Sequence, residues 1–198
     1  EKNIPVSAGL GGGSSNAASV LMSLNELLSA GLSRDDLIEI GAGLGSDVPF
    51  FISGRSVIAT GRGEKLEEIE IPKFWYVLIN PGFPVPTAWA YENLLLTKNK
   101  EDINISFLKK RLENFSIDYL ANDLEKVTAK KYPQIEEIKV FLKGLGAKGS
   151  LMSGSGPTVF GIFEGESAAR NAYDRIKNVP RFKNMAVFAA QGLLRNHL

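Results

Sequence analysis

Ten residues, GLGGGSSNAA from Gly9 to Ala18, set a glycine run against two serines and a helix-forming stretch. That pattern can bind an anion. Glycines let backbone N–H groups approach a phosphate, and the following helix adds its unsatisfied N–H groups and positive dipole end. Ser14 and Ser15 stand where a hydroxyl can cap the helix or reach a bound Mg2+. The same residues also make an ordinary loop before a helix, and the loop alone does not separate the two readings. It is not a dinucleotide fingerprint, because Ser14 stands where the third glycine of G-x-G-x-x-G belongs. Nor is it a Walker A loop, since no Gly-Lys-Ser/Thr follows.

Other residues could join such chemistry. Asp47, in GLGSDVPFF (43–51), is either a base or the cap of a turn before Val48-Pro49. Gly154, Ser155 and Gly156 are either a hairpin tip or a second glycine cradle, and both can hold at once. Tyr91 and Trp89 offer aromatic faces, which on a short helix serve a core as readily as a ligand. Thr87 and Asn122 or Asp123 read as helix caps.

Composition removes several alternatives. There is no cysteine, which excludes thiolate zinc sites and thiol catalysis. The one histidine, His197, is the penultimate residue, which argues against a Ser-His-Asp triad and histidine metal ligation. A net charge of +1 provides no broad basic field for nucleic acid, so a polyanion must be held by local devices. No apolar run has the length of a membrane span and no signal peptide is visible, which sets a cytoplasmic expectation. Nothing in the sequence reads out an oligomeric state.

These residues need elements to position them. Apolar residues at Ala17, Val20, Leu21, Leu24, Leu27 and Leu28 predict one buried helical stripe, capped by Ser14 or Ser15 and ended by Gly31. Ser33 and Asp36 resemble a capping box for a second helix, and residues 48–71 read as strands and turns. FWYVLINP (74–81) predicts a buried strand. Helices are expected over 87–96, 105–113, 120–131, 133–146 and 166–177, with strands in GSLMS, PTVFGIF and 185–190. The order strand, helix, strand, strand, helix, strand is a split βαβ, or ferredoxin-like, arrangement with inserted helices. A boundary falls near 71–73. The part after it reads as complete, whereas the part before it reads as a poor domain by itself.

PVSAGLGGGSSNAA (5–18) resembles the central motif of the GHMP kinases, Pro-x3-Gly-Leu-Gly followed by small residues. GLGSDVPFF and GSLMSGSGPTVFGIF (149–163) are similar to the family's aspartate motif and third, glycine-rich motif, in the same order. The extra glycine and the SSNAA ending (14–18) look most like the branch whose substrate carries a cytidine diphosphate moiety, in non-mevalonate isoprenoid precursor biosynthesis, and INPGFPVPTAWAYENL and NDLE (122–125) are also characteristic. The resemblance implies an α+β, two-domain GHMP-kinase architecture. Residues 1–72 would be part of a ribosomal-protein-S5-like, ATP-binding N-terminal domain. Residues 73–198 would be a ferredoxin-like C-terminal domain with a helical insertion.

The resemblance also implies roles. Pro5, Val6, Ser7, Ala8, Gly9, Leu10, Gly11, Gly12, Gly13, Ser14 and Ser15 would wrap the phosphates of ATP, with Ser15 reaching Mg2+. Asp47 would accept the proton of the acceptor hydroxyl, Tyr91 would stack on the cytosine, and Gly154–Gly156 would support the phosphate loop. The family carries a lysine motif ahead of the phosphate loop that nothing here matches. Residues 1–198 alone are therefore expected to show little kinase activity and an unstable first domain. The rival readings are a kinase of the same family acting on mevalonate, homoserine or a sugar, a non-catalytic nucleotide-binding remnant, and a purely structural ferredoxin-like domain.

Overall fold

In the computed structural model the described residues are 3–94, 106, 110 and 120–193. The chain divides into two units: one draws its described residues from 3–10, 73–94 and 120–192, the other chiefly from 11–72. The expected helix over 105–113 lies outside the described residues apart from 106 and 110.

The 11–72 unit begins with α1, Gly12–Leu27. Its N-cap is Gly11, at φ 63°, with no side-chain cap, so Ser14 and Ser15 do not cap it; the helix starts ahead of them. A Cβ on Gly11 would lie 2.8 Å from the Phe51 ring, and only glycine takes this left-handed, crowded position cheaply. Helix α2, Arg34–Leu44, opens on the expected capping box, with Ser33 and Asp36 bonding reciprocally. Helix α3, Val48–Ser53, occupies a stretch expected as strand and turn. Pro49 lies in its first turn, where a missing N–H costs nothing. Val48 and Ile52, four apart, both bury. A hairpin of β1 (Val57–Thr60) and β2 (Lys65–Glu68) follows, in register Val57↔Glu68.

The core of this unit is Ala18, Leu37, Val48 and Ile52, with Ala17, Leu21, Met22, Ile38 and Phe51 packed on it. The α1 stripe is therefore only partly buried as expected. Residues 17, 18 and 21 face α2 and α3, while Val20, Leu24, Leu27 and Leu28 remain exposed. The helix also ends at Leu27, before Gly31.

In the other unit, FWYVLINP gives β3, Trp75–Asn80. Then come α4 (Thr87–Glu92), α5 (Asp123–Lys131), α6 (Gln134–Gly144), β4 (Gly149–Met152), β5 (Val159–Phe163), α7 (Glu166–Lys177), a 3-10 turn at Pro180–Phe182 and β6 (Ala186–Gln191). Helix α4 is capped by Pro86, not by Thr87, and α5 by Asn122. The sheet order is β4-β5-β3-β6 with antiparallel pairing throughout, the ferredoxin-like order. Ile135, Ile138 and Leu142 of α6 and Ala169, Ala172 and Ile176 of α7 repeat at three and four residues. They bury against Val77, Ile79, Val159 and Phe163 of the sheet.

Candidate active site

Gly9 sits at φ +72°, and a Cβ there would lie 2.0 Å from the carbonyl oxygen of Ser153. No side chain fits. Ser153 Oγ donates to the Gly9 carbonyl at 2.7 Å, and Thr158 N donates to the Ala8 carbonyl at 3.3 Å. The first and third glycine motifs, 144 residues apart in sequence, thus meet backbone to backbone. Gly154 and Gly156 also hold positive φ, and a Cβ on Gly156 would come 2.5 Å from Met152 Sδ. Residues 153–156 do form the expected tight tip between β4 and β5, closed by Gly156 N to Ser153 O at 2.9 Å.

A polar network fixes that tip. Asn122 caps α5 through Leu124 N at 3.0 Å, and its amide also donates to Met152 O at 2.9 Å and Gly154 O at 2.7 Å. Glu125 accepts Met152 N at 2.6 Å, and Thr128 Oγ1 donates to Ser155 O at 3.3 Å. Ser155 is buried, with its hydroxyl 3.0 Å from Thr87 Oγ1. Asn80 Nδ2 donates to Thr158 Oγ1 at 2.9 Å. Lys139 pairs with Glu125 at 2.5 Å and Glu136 at 3.0 Å. Burial pulls its ammonium pKa down, but the two carboxylates outweigh this and hold it above the ordinary lysine value.

Sequence reasoning assigned no role to Ser153 or Thr128, met Glu125 only within NDLE, and saw Asn122 as a cap and as part of that motif. The available signal was the spacing of three between Asn122, Glu125 and Thr128, which puts them on one helix face.

In the 11–72 unit, α1 presents the amides of Gly12, Gly13 and Ser14 ahead of its first backbone bond, Ser15 N to Gly11 O at 2.8 Å. Its first turn carries no acidic residue, which leaves the positive dipole end uncompensated there. Ser15 is half-buried in that turn. Asp47 occupies the N-cap position of α3 yet makes no side-chain capping bond, and it is exposed. Its backbone is well supported: Gly63, at φ +110°, presses so close that a Cβ would lie 2.2 Å from Ser46 O. Tyr91 projects from α4 with 61% of its surface exposed, whereas Trp89 packs on the core beside Tyr132. No group of three or more metal-ligating side chains occurs among the described residues.

Comparison with known proteins adds a lineage to this geometry. The model of the GHMP kinases N terminal domain matches residues 1–55, and that of the GHMP kinases C terminal domain matches 105–181. A 4-diphosphocytidyl-2-C-methyl-D-erythritol kinase of Syntrophotalea carbinolica is 50% identical over 188 residues, 94% of this chain and 67% of the relative. One of Geobacter metallireducens is 52% identical over 179 residues, 89% of this chain and 63% of the relative. The chain thus spans about two thirds of the length of the curated relatives it matches. A crystal structure of 4-(cytidine 5'-diphospho)-2C-methyl-D-erythritol kinase superposes with TM-score 0.80 at 34% identity, covering 96% of this chain and 68% of that one. Homoserine kinase from Cytophaga hutchinsonii superposes at 0.78 with 19% identity, covering 98% and 68%, a likeness of fold.

Proposed function

The chain belongs to the GHMP kinases, and from that premise we propose that it transfers the γ-phosphoryl of ATP to the 2-hydroxyl of 4-diphosphocytidyl-2-C-methyl-D-erythritol. The observation that carries this reading is identity of about half over nearly the whole chain to kinases of that name. The geometry agrees with it. Two glycine motifs distant in sequence meet at a point where no Cβ fits, which suits a backbone cradle for phosphates.

In this reading residues 1–72 carry the nucleotide-binding motif and 73–198 form the second domain. The backbone of Pro5–Ser15 holds the phosphates, and the amides ahead of the first backbone bond of α1 offset the charge that spreads over the γ-phosphoryl oxygens. Gly154–Gly156 support the loop from the β4–β5 tip. Tyr91, exposed on α4, offers a face for the cytosine.

Asp47 is the base. The acceptor oxygen bonds to the γ-phosphorus, the bond from phosphorus to the β–γ bridging oxygen breaks, and ADP leaves. The hydroxyl proton goes to the Asp47 carboxylate, which no capping bond occupies. The proton moves late in a loose transition state, so positioning carries most of the rate.

Ser15, half-buried in the first turn of α1, would offer its hydroxyl to a Mg2+ that accompanies the nucleotide. When bound, Mg2+ neutralises phosphate charge and helps to orient the nucleotide.

The test is ADP release by the complete gene product with ATP and each of four acceptors: the diphosphocytidyl alcohol, mevalonate, homoserine and a sugar. The expected result is turnover with the first alone. Turnover with another acceptor would reassign the substrate within the family, and nucleotide binding without turnover on any would favour a non-catalytic remnant.

A further inference from the structure

We infer that α5 is a positioning element for the phosphate loop: Asn122, Glu125 and Thr128 fix the β4–β5 tip, and Ser153 of that tip fixes the Gly9 carbonyl. The inference rests on the proposed reading of Gly9 as part of a phosphate-binding loop.

Strand β4 is an edge of its sheet among the described residues, so the backbone groups of Met152 that point away from β5 have no neighbouring strand there. Side chains of α5 take both: Glu125 accepts its N–H and Asn122 donates to its carbonyl. Asn122 then reaches Gly154 O, and Thr128 reaches Ser155 O. One helix face, read at every third residue, thus holds the last residue of β4 and two residues of the glycine-rich turn that follows it. Such a turn has many backbone states of its own, and external bonds are what select one. Glu125 cannot swing away freely, because it is largely buried and paired with Lys139. From the tip, Ser153 Oγ passes this order to Gly9, whose Cα already packs on the Ser153 carbonyl. A small displacement of a phosphate cradle costs rate steeply, about a hundredfold for 1 Å. None of these side chains needs to touch substrate for its loss to be felt.

The experiment compares Asn122→Asp, Glu125→Gln and Ser153→Ala with wild type, in the complete gene product. Asn122→Asp keeps the acceptor for Leu124 N but sets a carboxylate oxygen against two carbonyls. Ser153→Thr restores the hydroxyl, and Ser33→Ala is a destabilised control that loses only the α2 cap. Affinity for a fluorescent, non-hydrolysable ATP analogue, kcat, KM for the alcohol and Tm are measured on each.

The expected result is a kcat lower by about ten- to a hundredfold and weaker analogue binding in the three variants, with KM for the alcohol unchanged. Ser153→Thr recovers both losses, and Ser33→Ala lowers Tm without either. Wild-type kcat and analogue affinity in the three folded variants would overturn the inference, as would losses that merely track Tm across all variants including Ser33→Ala. If wild type binds the analogue but phosphorylates none of the tested alcohols, the substrate assignment falls, and the pattern of analogue affinities alone upholds or overturns the role of α5. If wild type binds no analogue, the phosphate-loop reading and this inference fall together.

Discussion

The two units solve the problem of holding a functional backbone in different ways. In the sheet-containing unit, the tip at 153–156 is held by Asn122 and Thr128 at α5 and by Thr87 of α4, and rests on a continuous core of sixteen buried residues among those described. In the 11–72 unit, the start of α1 and the Asp47 turn rest on a core of four among the described residues. There the fixing is done by glycines pressed against neighbours, Gly11 on Phe51 and Gly63 on Ser46. A large core with a polar clamp gives rigidity that survives local opening, whereas close backbone contact on a small core gives precision with little reserve.

Core truncations should separate the units most strongly. Phe163→Ala removes a fully buried ring and should cost the sheet unit about 3–5 kcal/mol, while Ile52→Ala should cost the small core about 2–5 kcal/mol. Both tryptophans, Trp75 and Trp89, lie in the sheet unit, so their fluorescence follows that unit, whereas far-UV circular dichroism follows both. In urea the dichroism should begin to fall before the fluorescence, and Ile52→Ala should widen the gap. Coincident transitions in wild type would mean that the units unfold as one.

Gly9→Ala should come next. It forces a residue with a Cβ into a left-handed conformation against a carbonyl, at about 1–3 kcal/mol for the backbone conformation alone. Nucleotide affinity should fall more than Tm does, and an unchanged affinity would remove Gly9 from the phosphate loop. Ser33→Ala should cost about 1 kcal/mol, visible in the early dichroism phase and absent from the fluorescence.

The pH response should be smallest and opposite in the two units. The Ser33 hydroxyl and amide hold the Asp36 carboxyl below its ordinary 3.8, so its contribution is present above that value and is lost as pH falls through the lower folded one. Lys139 lies above its ordinary 10.5, so its contribution is complete below 10.5 and is lost as pH rises through the higher folded one. Acid should therefore weaken the dichroism phase first, and alkali the fluorescence phase. The reverse order, read from urea midpoints across pH, would contradict these assignments.

Periodic and local signals in the sequence translated well into structure. The βαββαβ order, the spacing of Ile135, Ile138 and Leu142, and the Ser33–Asp36 box each depend on residues close in sequence. Non-local packing decided what they did not reveal. Val48–Ser53 holds Pro and β-branched residues that suit an extended chain, yet burial of Val48 and Ile52 against α1 and α2 makes it helical. Gly11 rather than a serine starts α1, because the ring of Phe51 leaves no room there for a Cβ. The candidate site was legible through its glycines, whose positive φ values leave a sequence mark. The α5 clamp left only its spacing of three, which does not separate a clamp from a solvated face, since Asn, Glu and Thr in a helix look the same whether they face water or a strand edge.

The most direct measurement is single-turnover phosphorylation of 4-diphosphocytidyl-2-C-methyl-D-erythritol by wild type and Asp47→Asn, with nucleotide affinity and Tm measured on the same samples. The expected result is a rate lower by about 10²–10⁴ in the variant, with affinity and Tm unchanged. A variant that turns over at the wild-type rate would contradict the assignment of Asp47 as the base.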